Sequence, residues 1–222
     1  MSNYFEINYF KKVARINYIA LTIFLAISVT SHSIANRLTL IDGYPIISAG
    51  YIYMFVFVLT DVLATYNSRK LVIYFISLEA LCNFIYIFFA KLIVNMPYPS
   101  FFQHVYEYKT VFDPLVPLYF ANLGGNFAAA IFDLFIFWYL YRNRRWVFCL
   151  ASFASSIVTL TMYTYITDYF GFRGTYPTHV MQITNVNVIT NFITLAFYSI
   201  VAQFIVYGIQ RILNKGSVIT PV

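Results

Sequence analysis

Six long apolar runs divide the chain, and short polar segments separate them. Each run has about twenty residues or more, which is the length that an α-helix needs to cross the hydrocarbon core of a bilayer. The pattern therefore predicts an all-α fold, an integral membrane bundle of six transmembrane helices. The runs cover roughly residues 13–31, 45–66, 70–95, 114–141, 146–170 and 184–212.

Polar side chains recur at helical spacing within these runs, so several predicted helices have one polar face. In the fourth run, Asn122, Asn126 and Asp133 share a face. In the sixth run, Asn187 and Asn191 lie about one turn apart. Such side chains either join helices through hydrogen bonds or line a ligand site. For these asparagines the pattern leaves both interpretations open.

The third and fifth runs carry similar faces. Glu79 and Asn83 align in the third run, and Ser155, Thr159 and Tyr163 align in the fifth. A tyrosine in mid-span needs a partner for its hydroxyl group, whereas serine and threonine in membrane helices commonly join one helix to another. We therefore interpret Tyr163 as a candidate ligand contact and the hydroxyl residues as helix contacts.

Three carboxylates lie inside the apolar runs: Asp61, Glu79 and Asp133. Each is eight or nine residues from a basic cluster. At ~1.5 Å per helical residue, this spacing places all three roughly 12–14 Å from the same membrane face. An ionisable group at that depth is costly unless it faces a polar cavity or a partner. We therefore expect a shared site near the middle of the bilayer, with Asp168 outside it, at the membrane interface.

The basic residues are distributed unequally between the two sides of the predicted bundle. Ten Lys and Arg residues fall on the side of the two termini, and four fall on the other side. The positive-inside rule therefore predicts that both termini lie in the cytoplasm. Residues 1–12 and 214–222 are then cytoplasmic segments, and residues 13–213 form one transmembrane domain.

The composition argues against several classes of protein. Hydrophobic residues make up 61% of the chain and charged residues 10%, whereas a soluble domain carries about 25% charged residues. Cys82 and Cys149 lie inside apolar runs, and no His/Cys pair has the spacing of metal ligands. The sequence also contains no His-rich box, Ser/His/Asp set or phosphate loop. We expect no metal or other cofactor, no nucleic-acid partner and no enzymatic activity.

Carboxylates, carboxamides and aromatic rings together suit a flat ligand that donates hydrogen bonds. The chain contains 24 Phe and 21 Tyr residues, more than the two interfacial belts of a membrane protein need. A guanine-like edge presents an N–H and an NH₂ group side by side, and a carboxylate can accept from both. Aromatic rings can stack on the plane of such a base. Many flat ligands with hydrogen-bond donors would suit such a site, so this pattern alone does not identify the ligand.

Two stretches resemble the vitamin uptake transporter family, whose characterised bacterial members are queuosine-precursor transporters. The first stretch continues from Asn36 to residues 49–63, where an Ala-Gly pair enters an aromatic span that leads to Asp61. The second is 120–137, a small-residue span that leads to Asp133. The resemblance implies a location in the bacterial cytoplasmic (inner) membrane. It also implies import of a 7-deazaguanine base: preQ0, preQ1 or queuine.

The leading hypothesis is a transporter that holds its ligand in a mid-membrane site and opens alternately to each side. An alternative is a substrate-binding membrane subunit of a vitamin uptake system, which needs an energising partner. The sequence leaves open the preferred deazapurine, the coupling ion and the formation of a homo-oligomer. The candidate ligand contacts are Asp61, Asp133, Asn122, Asn126, Glu79, Asn187, Asn191 and Tyr163.

Overall fold

A computed structural model describes residues 2–35, 37–41, 43–174 and 176–214, apart from the side chains of residues 2–6, 8, 41, 121, 122 and 214. Within these residues, six helices are long and apolar enough to cross a membrane. They confirm the predicted all-α bundle of six spans. The predicted cytoplasmic tail, apart from the backbone of residue 214, lies outside the described residues.

The elements follow one another in a simple order, and each predicted run overlaps one of the six long helices. In chain order they are α1 (Ser2–Ser33), β1 (Leu38–Ile41), β2 (Tyr44–Ile47), α2 (Ser48–Tyr66), α3 (Arg69–Val94), α4 (Val105–Phe112), α5 (Leu115–Trp138), α6 (Phe148–Phe172) and α7 (Val180–Asn214). A turn of π-helix, Tyr139–Asn143, extends α5.

Two short elements lie between the spans and are not predicted by the apolar pattern. Strands β1 and β2 form an antiparallel hairpin in which Leu38 is opposite Ile47 and Leu40 is opposite Pro45. The apolar run that begins at residue 45 therefore starts as a strand, and its helix begins only at Ser48. Helix α4 is the second such element, and none of its residues is buried.

Helix α2 is the central helix of the bundle. Thirteen of its nineteen residues are buried, and it contacts α1, α3, α5, α6 and α7. Because no other span is enclosed to this extent, its polar side chains must find partners inside the protein rather than in lipid. The polar side chains of α2 therefore lie at the centre of the contacts inside the bundle.

One end of the bundle, here called the basic end, contains the start of α1, the α2–α3 and α5–α6 connections and the end of α7. Arg142 donates from Nη2 to the carbonyl oxygen of Thr65 at 3.0 Å. The guanidinium groups of Arg69 and Arg142 lie 4.8 and 4.6 Å from the ring centre of Trp138. The hydrogen bond joins the π-helical turn after α5 to the end of α2. The cation–π contacts join the start of α3 to the end of α5.

The opposite end, here called the hairpin end, contains the β-hairpin and α4. The Ser48 amide donates to the Arg37 carbonyl at 3.0 Å, which joins the hairpin to the start of α2. Lys91 forms an ion pair with Asp113 at 2.6 Å, which ties α3 to the segment before α5. These two links attach the short elements, which cover this end of the bundle, to the long helices.

The charge distribution predicts that the hairpin end is external, and cysteine labelling can test this orientation. In a background without Cys82 and Cys149, Phe101→Cys should react with a membrane-impermeant maleimide in right-side-out vesicles. Phe101 lies in the α3–α4 loop and is 81% exposed. Asn143→Cys, an exposed position at the basic end, should react only after permeabilisation. The reverse pattern would contradict the predicted orientation.

Candidate functional site

A cavity lies among the helix ends at the hairpin end of the bundle. Its volume is about 70 Å³. It is formed where α1 ends, where α2 and α7 begin, and where α5 and α6 approach them. The lining side chains that carry the argument below are Tyr53, Tyr163, Thr164, Asp168, Asn187 and Asn191.

Two asparagines of α7 line this cavity, and each has an amide oxygen without a hydrogen-bond partner among the described residues. Asn187 donates from Nδ2 to Asp168 Oδ2 at 2.9 Å, and Asn191 donates from Nδ2 to Thr164 Oγ1 at 3.2 Å. The carbonyl oxygens of both amides are buried, and neither accepts a hydrogen bond from any described residue. An amide next to a carboxylate must present its NH₂ group to it. The free acceptors therefore face away from Asp168, toward α2.

A glycine of α2 makes room for these two acceptors. A Cβ atom at Gly50 would lie 3.0 Å from Asn187 Oδ1 and 3.1 Å from Asn191 Oδ1. Gly50 also lines the cavity. The absence of a side chain at this position thus leaves room for both carbonyl oxygens against the backbone of α2.

Aromatic rings form the side of the cavity that faces the centre of the bundle. The Tyr53 ring meets the rings of His32 and Phe57 edge to face, with centroids 5.6 and 5.7 Å apart. Tyr163 lies 6.3 Å from Phe57. Asn126 donates a hydrogen bond to the Tyr53 hydroxyl, which holds that ring in place. The cavity therefore has acceptors on its α7 side and ring surfaces on the side that faces the centre of the bundle.

Glu79 belongs to a polar network between α1 and α3 that reaches the cavity wall through the side chain of Tyr53. Ser28 donates its hydroxyl to Glu79 Oε1, and Asn83 Nδ2 donates at 2.8 Å both to that oxygen and to Ser28 Oγ. A second cavity of about 10 Å³ lies between Glu79 and Asn126, which is room for about one water molecule. His32 lines both cavities, so its imidazole forms part of the wall between them.

Asp61 and Asp133 lie deeper in the bundle, toward the basic end. Both are fully buried. Ser152 donates to Asp61 Oδ2 at 2.6 Å, and Thr159 donates to Asp133 Oδ1 at 3.4 Å. Asp61 follows the cavity residue Met54 on α2 by seven positions, which is roughly 10 Å of helix. Neither carboxylate lines the cavity.

The structure thus divides the predicted ligand contacts among three places and does not bring all three acids together. The cavity is lined by Tyr163, Asn187 and Asn191. Its small neighbour is lined by Glu79 and Asn126. The core contains Asp61 and Asp133. The backbone of Asn122 is part of α5, but its side chain lies outside the described residues.

Asp168 is the cavity residue that sequence reasoning missed. Its position at the end of a span predicts an interfacial side chain, but the structure shows it only 5% exposed and bound to Asn187. The prediction is wrong because the start of α7 covers this end of α6. A signal is present in the sequence: Thr164 lies three residues before Thr167 and four before Asp168, so the polar face of α6 continues to the end of the helix.

A larger space of about 440 Å³ lies next to the cavity, between the end of α1 and the α4–α5 segment. Here it is called the vestibule, and Arg37, Thr110 and Tyr176 are among its lining residues. Leu118 and Phe172 line both the vestibule and the cavity, and both are buried. These two side chains therefore lie between the cavity and the vestibule.

Comparison with known proteins gives one match. A family model described as "Putative vitamin uptake transporter" matches residues 48–209, more than two thirds of the chain. The matched region extends from the first residue of α2 almost to the end of α7. It includes the two core aspartates and, apart from the residues of α1 and of the segment before α2, the cavity and the Glu79 network. No curated protein and no solved structure matches the chain.

The close approach at Gly50 gives a stability prediction. Gly50→Ala should lower the free energy of unfolding, because its Cβ crowds the two buried carbonyl oxygens and overpacking typically costs about 1–3 kcal/mol. Gly208→Ala on α7 is the matched control, since a Cβ there meets nothing within 4 Å. The control should gain roughly 0.5–1 kcal/mol from better helix propensity. Unfolding of both purified variants in detergent measures the difference, and equal stabilities would contradict the crowding.

Proposed function

The chain belongs to the vitamin uptake transporter family, and from this premise we propose that it imports a queuosine precursor. It is a multi-pass membrane protein of the transporter type. The proposed substrate is a 7-deazaguanine base, preQ0, preQ1 or queuine. The proposed location is the bacterial cytoplasmic membrane, with the hairpin end external and the basic end cytoplasmic.

The observation that carries the substrate proposal is the group of acceptors in the cavity. Asp168, Asn187 Oδ1 and Asn191 Oδ1 are the acceptors, and Tyr53 and Tyr163 are the ring surfaces. A 7-deazaguanine base is flat, and it carries adjacent N–H and NH₂ donors on one edge. A carboxylate beside neutral carbonyl oxygens can accept from such an edge, and the tyrosine rings can contact its plane. We therefore assign the ligand contacts to this cavity rather than to Asp61 and Asp133.

The size of the cavity indicates a closed conformation. An apolar cavity of roughly 150 Å³ is needed to hold benzene, whereas this one measures about 70 Å³ and a bicyclic base is larger than benzene. Loading the ligand therefore requires Leu118 and Phe172 to move apart and join the cavity to the vestibule. At the basic end, Phe137, Tyr141 and Phe148 pack with centroids 5.3–6.2 Å apart and close the exit.

Base recognition predicts a clear order among ligands. In a thermal-shift or binding assay on the purified protein, preQ0, preQ1 or queuine should bind, and guanine should compete with the bound base better than uracil or cytosine does. The reason is that pyrimidines lack the fused ring and the guanine donor edge. Equal competition by purines and pyrimidines would contradict base recognition at this site.

Asp168→Asn should weaken binding of the best 7-deazaguanine roughly 10- to 100-fold, because a hydrogen bond to a charged acceptor is worth about 1.5–3 kcal/mol. The substituted amide can still accept from Asn187, so the α6–α7 contact is retained. Glu107→Gln is the control, since Glu107 lies on α4 with its side chain 62% exposed. Calorimetric affinities for the two variants test the assignment, and equal affinities would remove Asp168 from the site.

Uptake by cells that express this chain alone separates the transporter from its alternative. A complete transporter should accumulate labelled queuine in a host that lacks its own importer. A substrate-binding subunit should bind queuine after purification but take up none without an energising partner. Uptake by the chain alone would support the proposed transporter. Binding without uptake would support the same ligand but indicate a substrate-binding subunit instead of a complete transporter.

A further inference from the structure

The two carboxylates that do not line the cavity form a pair in the core of the bundle. Asp61 lies within the electrostatic reach of Asp133, and each is held on one oxygen by a hydroxyl group of α6, Ser152 for Asp61 and Thr159 for Asp133. The other oxygen of each, Asp61 Oδ1 and Asp133 Oδ2, has no hydrogen-bond partner among the described residues. Ser156 is fully buried, and its hydroxyl group lies beside Asp133.

Nothing in the described part of the chain balances the charge of this pair. The ion pairs found there, Lys91–Asp113 and His104–Glu107, are both elsewhere and largely exposed. Arg69 and Arg142 lie on Trp138 at the basic end. The other cations on the helices packed around the pair are Lys11, Lys12 and Arg15 on α1, Lys70 and Lys91 on α3 and Arg211 on α7, and none of them forms an ion pair with either aspartate. His32 on α1, Glu79 on α3, and Tyr163 and Asp168 on α6 are titratable groups of the same helices. Two negative charges enclosed together without a cation would be strongly unfavourable.

We propose that Asp61 and Asp133 bind the proton that is carried inward with the substrate, a role that rests on the import function proposed above. The proton forms an O–H bond with one of the two open oxygens, Asp61 Oδ1 or Asp133 Oδ2, and removes one negative charge from the pair. It enters with the ligand from the hairpin end and leaves to the cytoplasm when the basic end opens. The site is therefore distinct from the cavity that holds the base.

The α6 helix connects the two sites. Tyr163 lines the cavity, Thr159 lies one turn further along and binds Asp133, and Ser152 lies about two turns beyond that and binds Asp61. A ligand that displaces Tyr163 therefore displaces the helix face that holds both carboxylates. Because α6 packs extensively on α5, which carries Asp133, movement of α6 changes the distance between the two acids.

The packing favours a proton over a metal cation. A proton needs no space of its own, whereas a metal ion needs a shell of several oxygen atoms at fixed distances. Neither Asp61 nor Asp133 lines the cavity, its small neighbour or the vestibule. In the described part of the chain, no group of three or more His, Cys, Asp and Glu residues could hold a metal ion.

Proteoliposomes containing the purified protein, labelled queuine and an internal pH dye test the coupling. The wild-type protein should acidify the lumen when queuine is added outside, and one pH unit should drive roughly tenfold accumulation if one proton accompanies each base. The double variant D61N/D133N imitates the protonated pair. It should retain queuine exchange across the membrane and lose both acidification and accumulation. Glu107→Gln, an exposed acid, should behave as the wild type.

Infrared spectroscopy of the protein without ligand tests proton binding independently of transport. The wild-type protein should show a protonated-carboxylic-acid C=O band that D61N/D133N lacks. If the double variant does not fold, Ser152→Ala and Thr159→Val provide the same test, because loss of each hydrogen bond should shift that band.

The outcomes separate the two proposals. A wild-type band that neither the double variant nor the hydroxyl variants alter would overturn the proton site. Acidification that persists in D61N/D133N, or accumulation that follows a sodium gradient and not a pH gradient, would overturn it as well. If the infrared band belongs to the pair but the wild-type protein moves no queuine, the import proposal fails and the proton site stands.

Discussion

A polar group inside the hydrocarbon region must find its partner within the protein, and the arrangement of this bundle follows from that constraint. Each of three buried carboxylates accepts a hydrogen bond from a neighbouring helix: Asp61 from Ser152, Glu79 from Ser28, and Asp168 from Asn187. The same bonds set how helices α1, α2, α3, α6 and α7 face one another. Unpaired buried oxygens remain at several positions of the described residues, and two of these places are the cavity and the core pair.

These two places differ in what they can accept. The cavity combines unpaired carbonyl oxygens with aromatic rings and lies beside a vestibule of about 440 Å³. The core pair is enclosed by side chains and has two carboxylate oxygens without partners among the described residues. A molecule with donor groups and a flat surface suits the first place, and a single proton suits the second. The α6 helix belongs to both, so one rigid element can transmit a change from one place to the other.

The sequence predicts the six spans because the transfer of about twenty apolar residues into lipid depends on local composition. It also predicts that Asp61 and Asp133 lie at one level, since depth follows from residue count along a helix. It does not determine the rotation of each helix about its axis, and this rotation separates Glu79 from the two aspartates. Asp168 is misassigned for a related reason: whether a helix end meets water or protein depends on α7 and the hairpin, which lie beyond the local window. The hairpin and α4 are too short for the apolar pattern to reveal.

The two carbonyl oxygens opposite Gly50 have a consequence for discrimination among solutes. A buried acceptor left without a donor costs about 1–3 kcal/mol, and neither oxygen has a partner among the described residues. A ligand with donors on the matching edge would remove this cost, whereas a compound of similar shape without those donors would leave both Asn187 and Asn191 unsatisfied. Discrimination would then come from the two hydrogen bonds that only a compound with matching donors can complete. Each ~1.4 kcal/mol of this difference corresponds to a tenfold preference at equal concentrations.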